Sequence, residues 1–113
     1  MHEMALMEGM IQIIEEEALR QGFSKVLGVV LEIGALSGVE PQALRFAFEV
    51  VTEGTPAAGA ALDIEAVPGS GLCLACGGTS VMDTRLAACA HCGDVPLQVL
   101  AGTEMRVKAL DVD

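Results

Sequence analysis

Cys73, Cys76, Cys89 and Cys92 are the only cysteines in the chain, and they fall as two C-x-x-C pairs with twelve residues between the pairs. A C-x-x-C turn aims two thiolates at one ion from a short loop. Two such turns complete a tetrahedron of sulfur, which suits Zn²⁺, a d¹⁰ ion with no geometric demand of its own. Each pair is followed by glycine, Gly77 and Gly93, where the chain needs φ > 0 to fold back over the metal. Four sulfurs leave no open position, so the site is expected to be structural rather than catalytic. Rubredoxin-like iron fits the same donors, because thiolates alone do not separate the two metals. Two disulfides are a further reading. A redox-active C-x-x-C is another, and it leaves the second pair unexplained. His91, inside the second knuckle, is a spare ligand in principle. With four cysteines available, an exposed knuckle residue is the expected reading.

A second donor set stands at the start, Met1-His2-Glu3. Histidine is too large for the usual removal of an initiator methionine, so Met1 is expected to stay. A free α-amine, the backbone nitrogen of His2 and its imidazole then fall within one chelate, and the amide of Glu3 offers a fourth nitrogen. The first N–H groups of a helix have no intrahelical acceptors. A Ni²⁺ or Cu²⁺ ion favours square-planar nitrogen sets of this kind. The plain alternative is a chain end with no ligand role.

The chain of 113 residues has room for one ordinary core, or a small core plus a metal-stapled module. Hydrophobic residues make up 52 %, enough to fold. Aromatics are only 3 %, which argues against a base-stacking surface. The formal net charge of −10 repels phosphate backbones and anionic lipid, so neither nucleic acid nor membrane is an expected partner. Cationic partners, metal ions included, are favoured. No basic secretory leader and no membrane-length apolar run are visible, so the cytoplasm is the expected compartment. Paired cysteines there are more often metal ligands than disulfides. No acid–base pair, nucleophile or phosphate loop stands out, and no enzymatic activity is expected.

The elements that must hold these donors read as follows. Met7, Ile11, Ile14 and Ala18, widened by Leu6 and Met10, give an amphipathic helix from about residue 4 to 21, with Gly22 at its C-cap. Residues 25–34 form an apolar run expected to be a central strand. Glu40-Pro41 starts a second helix, with Leu44, Phe48 and Val51 as its buried stripe. Residues 61–67 and 104–110 alternate as strands. Arg106 and Lys108 are expected to pair across the sheet with Asp63 and Glu65. Between these strands, residues 69–102 hold six of the thirteen glycines and all four cysteines. That segment is too short and glycine-rich for a core of its own, so metal must supply its folding energy. The expected fold is α+β: two helices on a small three-stranded mixed sheet, with an inserted four-cysteine, zinc-ribbon-like module. The expected domains are 1–68 plus 103–113, and 69–102.

Met1-His2-Glu3-Met4, LEIGALSGVEP, FAFEVVTEGT followed by GAALDIE, and the two C-x-x-C-G knuckles together resemble the HypA/HybF family of hydrogenase-maturation nickel metallochaperones. The resemblance covers essentially the whole chain, in the family's order. It departs at Ala5, where serine is common, and at Ala90, where proline commonly follows the third cysteine. The resemblance implies nickel binding at Met1, His2 and Glu3, with His2 the essential ligand and Glu3 in support. It implies structural zinc on Cys73, Cys76, Cys89 and Cys92. It also implies delivery of Ni²⁺ to the large subunit of [NiFe]-hydrogenase with the GTPase HypB, and in some members service to urease maturation proteins. The rival functions are a rubredoxin-like electron carrier and a zinc-stapled adaptor without nickel.

Overall fold

The structure is a computed structural model, and it describes residues 3–113. Helix α1 (Glu3–Gln21) buries Met7, Met10, Ile11, Ile14 and Ala18, the stripe that helical periodicity dictates. Leu6 is half-buried at the margin of that stripe. Gly22 ends the helix at φ 80° and donates its N–H to the Ala18 carbonyl. Helix α2 (Pro41–Val51) opens with Pro41 in its first turn. The Glu40 carboxylate caps it, accepting from the N–H groups of Gln42 and Ala43. Leu44, Ala47 and Phe48 are its buried face, and α2 packs against α1.

Strands β1 (Val26–Gly34), β2 (Ala61–Val67) and β6 (Met105–Val112) form one sheet in the order β2-β1-β6. The apolar run is therefore central, as its composition predicts. Ala61 lies beside Gly28 and Val67 accepts from Ala35, so β1 and β2 run parallel. Lys25 accepts from Asp113 and Gly34 donates to Glu104, so β1 and β6 run antiparallel. The sheet is mixed, as expected. The expected partner of Arg106 is corrected by the strand order. Because β1 lies between β6 and β2, Arg106 meets Glu32 of β1, at 2.5 Å, rather than Asp63 or Glu65.

Three further strands carry the cysteine segment: β3 (Gly69–Leu72), β4 (Thr79–Met82) and β5 (Gln98–Ala101). Both neighbours of β3 are antiparallel, in the order β4-β3-β5. By compactness the chain falls into two units. The first holds α1 and β1 as far as Leu31, then Val39–Ile64 and Val107–Asp113. Its buried apolar side chains are the helix stripes with Val26, Val29, Leu31 and Ala57. The second holds Glu32–Gly38 and Glu65–Arg106. Its core is Leu36, Cys73, Met82, Cys89 and Leu97, with Ala87 and Val99 against it. Leu36, in the turn after β1, thus belongs to the core that holds two of the cysteines. Its placement is fixed by backbone bonds, Leu36 N–H to Gly102 at 2.7 Å and Ala35 N–H to Val67 at 2.9 Å. Only glycine serves at Gly34, because a Cβ there would run into the Gly102 carbonyl.

Candidate metal centre

The two knuckles are built alike. Cys73 donates its N–H to Gly78 and accepts at its carbonyl from Gly77, both at 2.8 Å. Cys89 does the same with Asp94 and Gly93, both at 2.9 Å. Gly77 and Gly93 stand at φ 77° and 78°, the left-handed conformation that each turn needs to close. Strand β3 leads straight into the first knuckle, and β4 carries the chain away from it. The second knuckle is tied back to β4, where the half-turn Ala90 N–H donates to the buried Ser80 hydroxyl at 3.0 Å.

These turns bring all four Sγ atoms within 4.8 Å of one another. The approaches across the knuckles are 3.5 Å for Cys73 to Cys92 and 3.7 Å for Cys76 to Cys89. A tetrahedral ion with bonds of about 2.3 Å to sulfur separates its ligand atoms by about 3.8 Å, so the cage has the right size for Zn²⁺. Cys73 and Cys89 are buried, whereas Cys76 and Cys92 are exposed.

The electrostatics also call for a cation. The N–H groups of Cys92 and His91 point at the Cys89 sulfur and hold its thiol down, to about 6. At Cys92 the Asp94 N–H favours the thiolate. The neighbouring Cys73 and Cys89 sulfurs, with desolvation, outweigh it and push the thiol up to about 12. At Cys76 the Gly78 N–H likewise lowers the thiol, yet the Cys73 and Cys89 sulfurs and desolvation leave it raised. Four negative sulfurs this close repel one another unless a positive ion sits among them. Four thiolates suit a soft, closed, structural site, and they leave no vacant position for substrate. His91 stands outside the cage. Its Nε2 lies 3.1 Å from the Thr79 carbonyl, and the ring is exposed.

Met1 and His2 lie outside the described residues. Glu3 is the first residue of α1, and its Oε2 accepts the Glu40 N–H at 3.2 Å. The starts of the two helices are thereby joined, and two carboxylates, Glu3 and Glu40, gather there. The sequence marks Glu40 only as the start of a helix. Its proximity to Glu3, 37 residues away, leaves no local signal. Among the described residues, no helix is long and apolar enough to cross a membrane.

Comparison with known proteins agrees over the whole length. Residues 1–112 match the family model described as "Hydrogenase/urease nickel incorporation, metallochaperone, hypA". The chain is 51 % identical over 113 residues to the hydrogenase maturation factor HypA of Dechloromonas aromatica (strain RCB), covering all of both chains. It is 54 % identical to that of Rhodopseudomonas palustris (strain BisA53), again covering all of both. The fold superposes on the solution structure of the Ni metallochaperone HypA from Helicobacter pylori with a TM-score of 0.70. The identity there is 26 %, covering 99 % of this chain and 97 % of that one. A match from end to end, over a chain that builds a four-sulfur cage, leads to one assignment: the chain belongs to the HypA family of nickel-incorporating metallochaperones and hydrogenase maturation factors.

Proposed function

We propose that the chain carries Ni²⁺ on its first three residues and hands it on during maturation of [NiFe]-hydrogenase. The donors are the Met1 α-amine, the His2 imidazole and the backbone nitrogens of His2 and Glu3. This nitrogen-rich set suits a d⁸ ion. The two carboxylates at the joined helix starts offset the conflict between a cation and the positive helix ends. Copper outranks nickel in intrinsic affinity, so selection for nickel rests on geometry, supply and partner recognition.

The same reading gives Zn²⁺ to Cys73, Cys76, Cys89 and Cys92 as a structural ion, supplying the folding energy that so small a core lacks. The domain that carries nickel is then 1–68 plus 103–113, and 69–102 is the zinc-binding module. Nothing in the reading requires catalysis. The GTPase HypB and the hydrogenase large subunit are the proposed partners, in the cytoplasm, with urease maturation proteins as a further recipient class.

The observation that carries this reading is the end-to-end family match of a chain whose first residues are Met-His-Glu. Elemental analysis of protein with a free amine at Met1 tests it. One zinc per chain is expected throughout, with one nickel more after nickel loading and gel filtration. A His2→Ala chain should keep the zinc and lose the nickel. Iron in place of zinc, with colour and a redox wave, would instead favour the electron carrier.

A further inference from the structure

The four-cysteine cage has a second chemical property, and it rests on the zinc reading. Each close cross-knuckle approach joins the sulfur of an exposed residue to that of a buried one: Cys92 to Cys73 at 3.5 Å, and Cys76 to Cys89 at 3.7 Å. Cys73 is 1 % exposed and Cys89 4 %. An oxidant in solution therefore reaches Cys92 and Cys76 first. Each has a protected sulfur within a short movement of bonding distance, on the opposite knuckle.

We propose that the cage is an oxidative modification site for hydrogen peroxide, which converts it to the disulfides Cys73–Cys92 and Cys76–Cys89 and releases the ion. Cys92, held as a thiolate on the zinc reading, attacks a peroxide oxygen. The O–O bond breaks, one oxygen leaves as hydroxide, and a sulfenic acid remains on Cys92. The buried Cys73 thiolate then attacks that sulfur, an S–S bond forms, and hydroxide leaves again. Cys76 and Cys89 repeat the sequence. In sum, four thiolates, two hydrogen peroxide molecules and four protons give two disulfides and four waters. The four sulfurs lose four electrons and the peroxide gains them.

The cross-knuckle pairing has a structural consequence. The backbone bonds of each knuckle, Gly77 to Cys73 and Gly93 to Cys89, do not involve sulfur and survive it. The disulfides close loops across the segment 73–92, so they replace the ion as staples of the second unit. Bonds within a knuckle would leave the two knuckles unlinked.

Trypsin reads the difference directly. Cleavage at Arg45, Arg85 and Arg106 puts Cys73 and Cys76 on peptide 46–85, and Cys89 and Cys92 on peptide 86–106. Zinc is first measured on the full-length protein. Hydrogen peroxide is then added with a chromogenic zinc indicator, and the product is alkylated, denatured, digested and weighed by mass spectrometry. The expected result is release of zinc together with a 46–85/86–106 pair that dithiothreitol separates. Tandem spectra should place the links at 73–92 and 76–89. Separate peptides carrying internal disulfides, sulfinic or sulfonic acids as the main products, or retention of zinc through the treatment would each overturn the proposal. Protein that arrives without zinc yet forms the same two links overturns the zinc reading and supports the cross-linking.

Discussion

The Glu3 carboxylate accepts the backbone N–H of Glu40 at 3.2 Å, and the Glu40 carboxylate in turn caps α2 through Gln42 and Ala43. The start of α1 is held in place by a group that belongs to the start of α2. The proposed nickel reading draws on this arrangement, because it anchors Glu3 at the head of α1. Glu3→Ala removes the acceptor and leaves the Glu40 N–H to water, at a cost of about 1 kcal/mol for an exposed charge-assisted bond. Glu3→Gln keeps an acceptor oxygen and should stay within about 0.5 kcal/mol of the parent. Thermal or urea unfolding of both variants measures the difference, and nickel affinity should fall in the same order.

Ion removal should act on the second unit first. A chelator strong enough to strip the cage leaves Leu36, Met82 and Leu97 with a core that also consists of two ionisable sulfurs. Small zinc modules draw about 10–16 kcal/mol from their metal. The amides of β3, β4 and β5 should lose hydrogen-exchange protection on chelation, while the buried amides of α1 and α2 keep theirs. Acid should do the same, because protons compete with the ion for thiolates. Equal loss in both units would show that the core of α1, α2 and β1 depends on the cage.

Leu36 is 5 % exposed, in contact with the cysteine core. Leu36→Ala should cost about 2–5 kcal/mol and be felt chiefly in the second unit. Faster loss of metal to a competing chelator, measured by a zinc indicator, is the expected sign.

Ala90 uses a backbone group that proline lacks. Its N–H donates to Ser80, whose hydroxyl is buried. Ala90→Pro should therefore destabilise this chain by about 1–2 kcal/mol, since Ser80 loses its donor. The double variant Ala90→Pro with Ser80→Ala should recover part of that loss. Chemical denaturation of the three variants forms a cycle that isolates the bond.

Asp113 gives a pH signature. Its carboxylate accepts from the Ser24 hydroxyl at 2.6 Å and from the Lys25 and Ser24 N–H groups at 3.0 and 3.1 Å. The Ser24 hydroxyl first, then the two N–H groups, hold it below the usual carboxylate value. A carboxyl lowered in the folded chain contributes stability above its unfolded value. That contribution fades as pH falls through the folded one. Asp113→Ala should thus be less stable than the parent near neutrality, and the gap should close in strong acid. Thermal midpoints across that range check it.

Much of this architecture is written locally. The cysteine spacing, the glycine after each pair, the stripe of α1, Pro41 and the apolar β1 all act within a few residues, and the structure has each where local chemistry puts it. The second sheet is different. GSGL, TSVM and QVLA are short, lack clean alternation, and become strands only because the knuckles bring them side by side. Leu36 looks like an ordinary turn residue until the segment that buries it has folded. Arg106 and Glu32 meet because β1 takes the middle of its sheet, a tertiary fact that pair spacing does not encode. The bond between Glu3 and Glu40 belongs to the same class.

Nickel calorimetry on zinc-loaded protein tests the account at its centre. Three chains suffice: one with a free Met1 amine, one with a single residue added ahead of Met1, and His2→Ala. One tight nickel site is expected in the first, clearly weaker binding in the second and its loss in the third, with zinc content equal in all. Equal nickel affinity across the three would contradict it.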